Sequence, residues 1–140
     1  MKVKITELTK NELSDIIGSV ISGNGYFYFD KEKYGNLISE DAEFYEDKIA
    51  SVLANGGEVI YVDEMAEGDD TIYGNFNVKA ELNDDEEMEY TINLKTFLAG
   101  LNNSTESIKY LHEMLIEESG DAYTAWCIVQ LGVFGELIYG

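Results

Sequence analysis

The chain contains no arginine and no proline, and it has one cysteine and one histidine. Without arginine it lacks the planar guanidinium group that recognises phosphate and guanine in two-point contacts. All nine basic residues are lysines, and 28 acidic residues outnumber them, so the formal net charge is -19. A surface of that sign repels the nucleic-acid backbone. We therefore predict that the chain does not bind DNA or RNA directly.

The chain also has too few cysteines for a disulfide and no long uninterrupted apolar run. A lone Cys127 cannot form an internal disulfide, and Met1–Leu8 alternates charged with apolar residues instead of resembling a signal peptide. The longest apolar run, Ala122–Tyr139, is interrupted by Gln130 and Glu136 and has no flanking lysine. We expect a cytoplasmic protein without a membrane partner, in which this run forms a buried core helix.

The chain is rich in apolar residues, which make up 45% of 140 residues. This composition favours a folded core, and the length favours a single domain over residues 1–140. Thr9 and Glu12 have the spacing of a capping box, and apolar residues recur at helical spacing from Leu13 to Ile21. The pattern predicts a first helix that ends at Gly23-Asn24-Gly25.

Later segments show further helical signals. Ser39-Glu40-Asp41 predicts the start of a second helix, which Gly56-Gly57 ends, and Thr96–Leu101 predicts a short helical turn. A third helix is capped by Ser104 or Thr105 and ends at Gly120; its predicted inward residues are Ile108, Leu111, Leu115 and Ile116. The last helix is capped by Asp121 and is apolar in almost every direction, which is typical of a central helix or an oligomer interface. Its end, Val133–Tyr139, is also compatible with a strand.

Strand signals occur in four places. Lys2–Ile5 and Tyr26–Phe29 predict short strands, with a loop over Lys31–Ser39, and Glu58–Asp63 is apolar on both faces, as expected of a central strand. Residues 71–95 alternate, with apolar residues at even positions, and predict a hairpin whose even face is buried. Because opposite residues share a face, the predicted register sets Leu82 opposite Met88, Glu81 opposite Glu89, and Val78 opposite Ile92.

These elements predict an α+β fold. We expect an antiparallel sheet, containing the 71–95 hairpin and the 58–63 strand, with about four helices on its even-numbered apolar face and the C-terminal helix at the centre.

Negative charge is concentrated in residues 40–89, which contain 17 acidic residues and two lysines, a net -15 of the total -19. Three interpretations remain open: a solvated surface, a face that imitates nucleic-acid phosphates and binds a basic protein, and a cation-binding loop over residues 63–70. Glu81 and Glu89 could also share a cation or a proton. The acidic residues predicted to contact a partner are Asp63, Glu64, Glu67, Asp69, Asp70, Asp84, Asp85, Glu86, Glu87 and Glu89.

No catalytic motif is present in the sequence. His112 and Cys127 are single residues of their types, but Cys127 lies within the most apolar helix, and no nucleophile elbow or phosphate-binding loop occurs. We therefore predict a non-enzymatic protein without a cofactor or a resident metal. We expect it to act as an inhibitor or DNA-mimic decoy for a basic nucleic-acid-binding protein, by analogy with compact acidic proteins carried by phages and mobile elements. The alternative is a small-ligand or divalent-cation-binding accessory domain, and the C-terminal helix is a candidate homo-oligomer interface.

Overall fold

The computed structural model describes residues 4–21, 25–63 and 78–139. Within these ranges an antiparallel sheet packs against helices, and the predicted α+β fold is confirmed. The strands are β1 Tyr26–Tyr28, β2 Val59–Asp63, β3 Lys79–Leu82 and β4 Met88–Ile92. The α-helices are α1 Lys10–Ile21, α2 Lys31–Tyr34, α3 Tyr45–Ala54, α4 Leu94–Asn102, α5 Ser107–Leu111 and α6 Ala122–Phe134.

The four described strands are ordered β1-β2-β4-β3 and all pair antiparallel. β2 is central, as its two apolar faces predicted. The predicted register is confirmed at Leu82 opposite Met88 and at Glu81 opposite Glu89. β3 begins one residue after Val78, and the predicted hairpin positions 71–77 lie outside the described residues.

Burial follows the predicted alternation along β4 but not along the whole of β3. Met88, Tyr90 and Ile92 are buried, whereas Leu82 is 47% exposed. Leu82 is the last residue of the outermost described strand and adjoins an exposed turn, so it lies at the margin of the core. The prediction that its side chain is buried is wrong.

Helix α1 begins at the predicted capping box. The N–H of Thr9 donates to Glu12 Oε1 at 2.8 Å, and the N–H of Glu12 donates to Thr9 Oγ1 at 3.2 Å. The buried apolar stripe of α1 packs against α3 and α6; it consists of Leu13, Ile16, Ile17 and Val20. The last predicted member, Ile21, is exposed.

Helix α6 lies at the centre of the fold, as predicted. Asp121 caps it by accepting the N–H of Thr124 at 2.9 Å, and Gly135, with a φ of 78°, ends it. Every residue from Thr124 to Phe134 is buried by the chain itself. These buried residues offer no face to a second copy, so the structure gives no support to the predicted oligomer interface on this helix. The alternative strand over Val133–Tyr139 is not formed in the described residues.

Two N-terminal predictions need correction. The segment Lys31–Ser39 is not a loop, because Asp30 accepts the N–H groups of Glu32 and Lys33 and caps α2, which a 3₁₀ turn at Gly35–Leu37 follows. Helix α3 starts at Tyr45 and not directly after Asp41. Its first-turn carboxylate, Asp47, accepts the backbone N–H groups of Glu43 and Phe44, which fixes the start there.

The predicted strand at Lys2–Ile5 is absent at its described residues, Lys4 and Ile5. The backbone of Ile5 is instead bound by a side chain, since its N–H donates to Asn102 Oδ1 and its carbonyl accepts from Asn102 Nδ2. These two hydrogen bonds attach the N-terminal described segment to the last residue of α4.

The helices between β4 and α6 also differ from the prediction. Asn93 accepts the N–H of Thr96, so α4 starts earlier than the predicted turn. The third helix consists of α5 followed by a π-helical turn at His112–Ile116. Ser107 takes a buried position and donates to the carbonyl of Leu101, which leaves Ile108 facing outward. Ile116, the last residue of this π-helical turn, is 71% exposed, so the prediction that it points inward is wrong.

Candidate functional site

The acidic residues predicted to form one contact surface have different environments. Asp63 ends β2 on the same face as Val59 and Tyr61, and that face meets the helices. Its carboxylate is 0% exposed, and Oδ2 accepts the hydroxyl of Tyr139 at 2.7 Å. The predicted partner contact at Asp63 is therefore wrong, because a partner cannot reach this carboxylate.

The predicted loop acids Glu64, Glu67, Asp69 and Asp70 lie outside the described residues. The remaining predicted contacts, Asp84 to Glu87 and Glu89, fall in the turn between β3 and β4 and at the start of β4. We call residues 83–87 the acidic turn.

Asn83 organises the acidic turn. Its Oδ1 accepts the backbone N–H groups of Asp85 and Glu87, each at 2.9 Å. The N–H of Asn83 donates to the carbonyl of Glu87, and the N–H of Glu86 donates to the carbonyl of Asn83. Glu86 has a φ of 63°, the left-handed conformation that asparagine and glycine adopt more readily. The turn thus has a defined backbone from which Asp84, Asp85 and Glu86 project as exposed residues.

Glu89 supports the acidic turn from the adjoining strand. Its Oε2 accepts from Asn83 Nδ2 at 3.0 Å, and its Oε1 accepts the hydroxyl of Tyr28 at 2.5 Å. Burial and this hydrogen bond raise the pKa of Tyr28 to about 12. These two donors offset the repulsion that Glu89 experiences from Glu81, which lies directly opposite and is exposed. Glu89 is half-buried with both oxygens engaged, so its main role is to hold the turn.

The charges of the acidic turn are not neutralised locally. Among the described residues, a lysine lies within 4 Å of a carboxylate at Lys10 and Asp41, with Nζ and Oδ1 2.9 Å apart. A second pair, His112 with Glu117, joins Nδ1 and Oε1 at 3.0 Å. Neither pair involves the acidic turn. Its carboxylates therefore present uncompensated charge to the solvent.

Two acidic residues at the start of α3, Asp41 before the helix and Asp47 in its first turn, are arranged differently. Asp41 pairs with Lys10, and Asp47 accepts the Ser14 hydroxyl together with backbone N–H groups. The hydrogen bond from Ser14, followed by that from Phe44, lowers the pKa of Asp47. These carboxylates stabilise the fold, which leaves the acidic turn as the clearer binding surface.

The other sequence candidates do not assemble into a site. Burial raises the pKa of the Cys127 thiol, and a buried neutral thiol is a poor nucleophile. His112 is exposed and faces Glu117. Within the described part of the chain, no three or more histidine, cysteine or acidic residues are grouped to hold a metal ion, and no helix is long and apolar enough to cross a membrane.

One cavity was not anticipated from the sequence. A cleft of about 300 Å³ lies between α2 and the sheet, with Lys33 and Tyr34 from α2 and Ile60, Lys79 and Thr91 from three strands among its lining residues. The segment that contributes its α2 wall was predicted to be a loop. A usable signal was present, because Asp30 precedes Lys31-Glu32-Lys33 as an N-cap residue precedes a helix.

Comparisons with protein-family models, curated proteins and solved structures found no match to this chain. A functional proposal therefore depends on the chemistry of its own residues.

Proposed function

We propose that the chain is a non-enzymatic acidic protein that binds a basic nucleic-acid-binding protein and acts as an inhibitor or decoy. The observation that supports it is the acidic turn, where Asn83 fixes the backbone while Asp84, Asp85 and Glu86 stay exposed without a described cation beside them. A surface that is ordered before binding loses less conformational entropy when a partner docks. The lysines and arginines of a nucleic-acid groove supply the missing positive charge.

The long-range charge of the molecule favours the same function. The net charge of -19 attracts a basic partner over distances of the order of the Debye length, ~10 Å at 0.1 M salt. Steering of this kind raises the association rate, while the contacts at the acidic turn set which partner is retained. Binding should therefore weaken as salt rises.

The test compares two charge-neutralised variants of the full chain. The first carries Asp84→Asn, Asp85→Asn and Glu86→Gln in the acidic turn. The control carries Glu7→Gln, Glu106→Gln and Glu136→Gln, which removes the same charge from exposed positions outside the turn. Each variant and the parent are immobilised, exposed to host lysate and eluted with a salt gradient. We expect nucleic-acid-binding proteins to be retained by the parent and the control but released earlier from the turn variant.

A direct assay follows with each retained protein. The soluble parent chain should displace that protein from a fluorescent DNA or RNA duplex, and the turn variant should need a higher concentration. Equal retention by the turn variant and the control would leave only the solvated-surface interpretation. Retention that does not change with salt would also contradict the proposal.

A further inference from the structure

The cleft beside α2 is built on the face of the sheet opposite the helical core. Ile60 of β2 is paired with Thr91 of β4, and Thr91 is paired with Lys79 of β3. Directly opposite residues share a face, so these three side chains form one row across the sheet. Lys33 and Tyr34 line the cleft from α2. The cleft therefore has apolar and polar residues on its sheet side, and lysines from both α2 and the sheet line it.

The two lysines are unusual in so acidic a chain. Only nine lysines oppose 28 acidic residues, yet two of them line this one cleft. Neither Lys33 nor Lys79 lies within 4 Å of a carboxylate of the described residues. Lys33 Nζ instead lies 5.3 Å from the centre of the Tyr34 ring, a cation–π distance. Both ammonium groups keep hydrogen-bonding capacity for another partner.

The two carboxylates that line the same cleft, Asp30 and Glu58, already accept hydrogen bonds from other groups of the chain. Asp30 Oδ1 accepts the N–H groups of Glu32 and Lys33 at the start of α2. Glu58 Oε1 accepts the hydroxyl of Tyr34 at 3.1 Å. The unused polar capacity of the cleft is therefore mainly that of the two ammonium groups.

We propose that this cleft binds a small organic anion. Its carboxylate or phosphate group is met by Lys33 and Lys79, and its compact apolar body lies on Ile60 and Phe29 beside the Tyr34 ring. A volume of about 300 Å³ is at the lower end of ligand pockets and suits a molecule of one ring. The acidic turn contributes no residue to this cleft, so the proposal goes beyond the partner-binding function and is tested separately.

The experiment titrates the ¹⁵N-labelled full chain with benzoate, phenyl phosphate and benzamide, and follows the amide signals. Benzamide has the shape of benzoate without its charge. We expect saturable shifts confined to residues 29–34, 58–60 and 91–96 with at least one of the two anions, and about tenfold weaker binding of benzamide. Whether benzoate or phenyl phosphate binds more tightly assigns the ligand to the carboxylates or to the phosphate monoesters.

Two lysine variants test whether Lys33 and Lys79 bind the charged group of the anion. Lys33→Gln and Lys79→Gln should each weaken binding of the anion about three- to tenfold, since each removes one charge-assisted hydrogen bond at a partly solvated site. Lys109→Gln is the matched control, because Lys109 Nζ also lies over the following tyrosine ring, 5.2 Å from its centre, but outside the cleft. Its affinity for the anion should equal that of the parent.

A second variant tests the cavity itself with both lysines intact. Ile60→Phe places extra volume on the cleft floor and should reduce anion binding at least tenfold, while the melting temperature reports that the fold is kept. The proposal is overturned if neither anion gives saturable shifts at the cleft, or if benzamide binds as well as the anions. Equal weakening by Lys109→Gln and Lys33→Gln, or unchanged binding to Ile60→Phe, overturns it as well.

Discussion

The hydroxyl of Tyr139 donates to Asp63 Oδ2 at 2.7 Å and joins the C-terminal segment to the end of β2. The same tyrosine stacks on Trp126, with ring centres 5.5 Å apart, and its N–H donates to Gln130 Oε1 at 2.9 Å. The segment after α6 is therefore bound to the core through a hydroxyl, a ring and a backbone amide.

Tyr139→Phe should destabilise the fold by about 1–3 kcal/mol. The substitution keeps the ring but removes a donor from the buried Asp63 carboxylate, and an under-satisfied buried charge is costly. Urea denaturation followed by circular dichroism measures the change. Tyr123→Phe, at an exposed position on α6, is the control and should have a much smaller effect. Equal midpoints for Tyr139→Phe and the parent would contradict the prediction.

Gly100→Ala should disrupt the contact between α4 and α6. A Cβ at Gly100 would lie 2.2 Å from the carbonyl oxygen of Gly132, and a backbone atom cannot move aside as a side chain can. The helices must separate, at a cost of about 1–3 kcal/mol or more. Gly35→Ala is the opposite case, since no atom lies within 4 Å of the added Cβ and φ is -57°. It should leave stability unchanged or raise it by about 0.4–1 kcal/mol. Thermal melting of both variants decides the comparison.

Stability should fall at alkaline pH, partly through Tyr28. Its pKa is raised to about 12 in the folded chain, against about 10 for an unfolded tyrosine. The folded state holds this proton more tightly, so the contribution of Tyr28 is complete below pH ~10 and is lost as the pH rises towards 12. Denaturation at several pH values from 8 to 12 should show a steeper loss for the parent than for Tyr28→Phe. Parallel curves would mean that the ionisation of Tyr28 is not linked to unfolding, which contradicts the prediction.

At acidic pH the relevant pair is Ser14 and Asp47. The hydrogen bond from the Ser14 hydroxyl contributes most to the lowered pKa of Asp47, so the ionised carboxylate is favoured in the folded state. This contribution is present above the unfolded value of about 4 and is lost as the pH falls below it. Ser14→Ala should therefore be less stable than the parent at pH 7, and the difference should shrink below pH 4. A difference that stays constant across this range would assign the effect to packing alone.

Local signals in the sequence predicted local structure well. Thr9 with Glu12 and Asp121 marked helix starts, and the alternation around Glu81 and Glu89 predicted both the hairpin and its register. These features depend on residues within about ten positions of one another, where side-chain spacing determines hydrogen bonding and face. The predicted burial of Leu82 was wrong because alternation gives the face of a strand and not where the helices that cover that face end.

The main features that the sequence did not predict, the burial of Asp63 and the cleft, depend on contacts between distant parts of the chain. Asp63 is buried because Tyr139, 76 positions away, donates to its carboxylate, and no pattern around Asp63 signals this. The cleft was missed for the same reason, since α2 and three strands contribute to it. For the acidic turn, the sequence predicted where the carboxylates lie but not that Asn83 orders them, although asparagine is a residue that commonly bonds the backbone two positions on.

The central position of α6 has a consequence for how the chain acquires its fold. α1 packs against α6, but α6 begins at Ala122, about 100 residues after α1 ends at Ile21. At synthesis rates of ~5–20 residues per second, the ribosome makes α6 about 5–20 s after α1, and the apolar stripe of α1 lacks this partner until then. During that interval α1 can pack against α3, the other helix that covers its apolar stripe, but not against α6. The nascent chain therefore depends on its strong negative charge, and on any chaperone present, to avoid aggregation until α6 has been made.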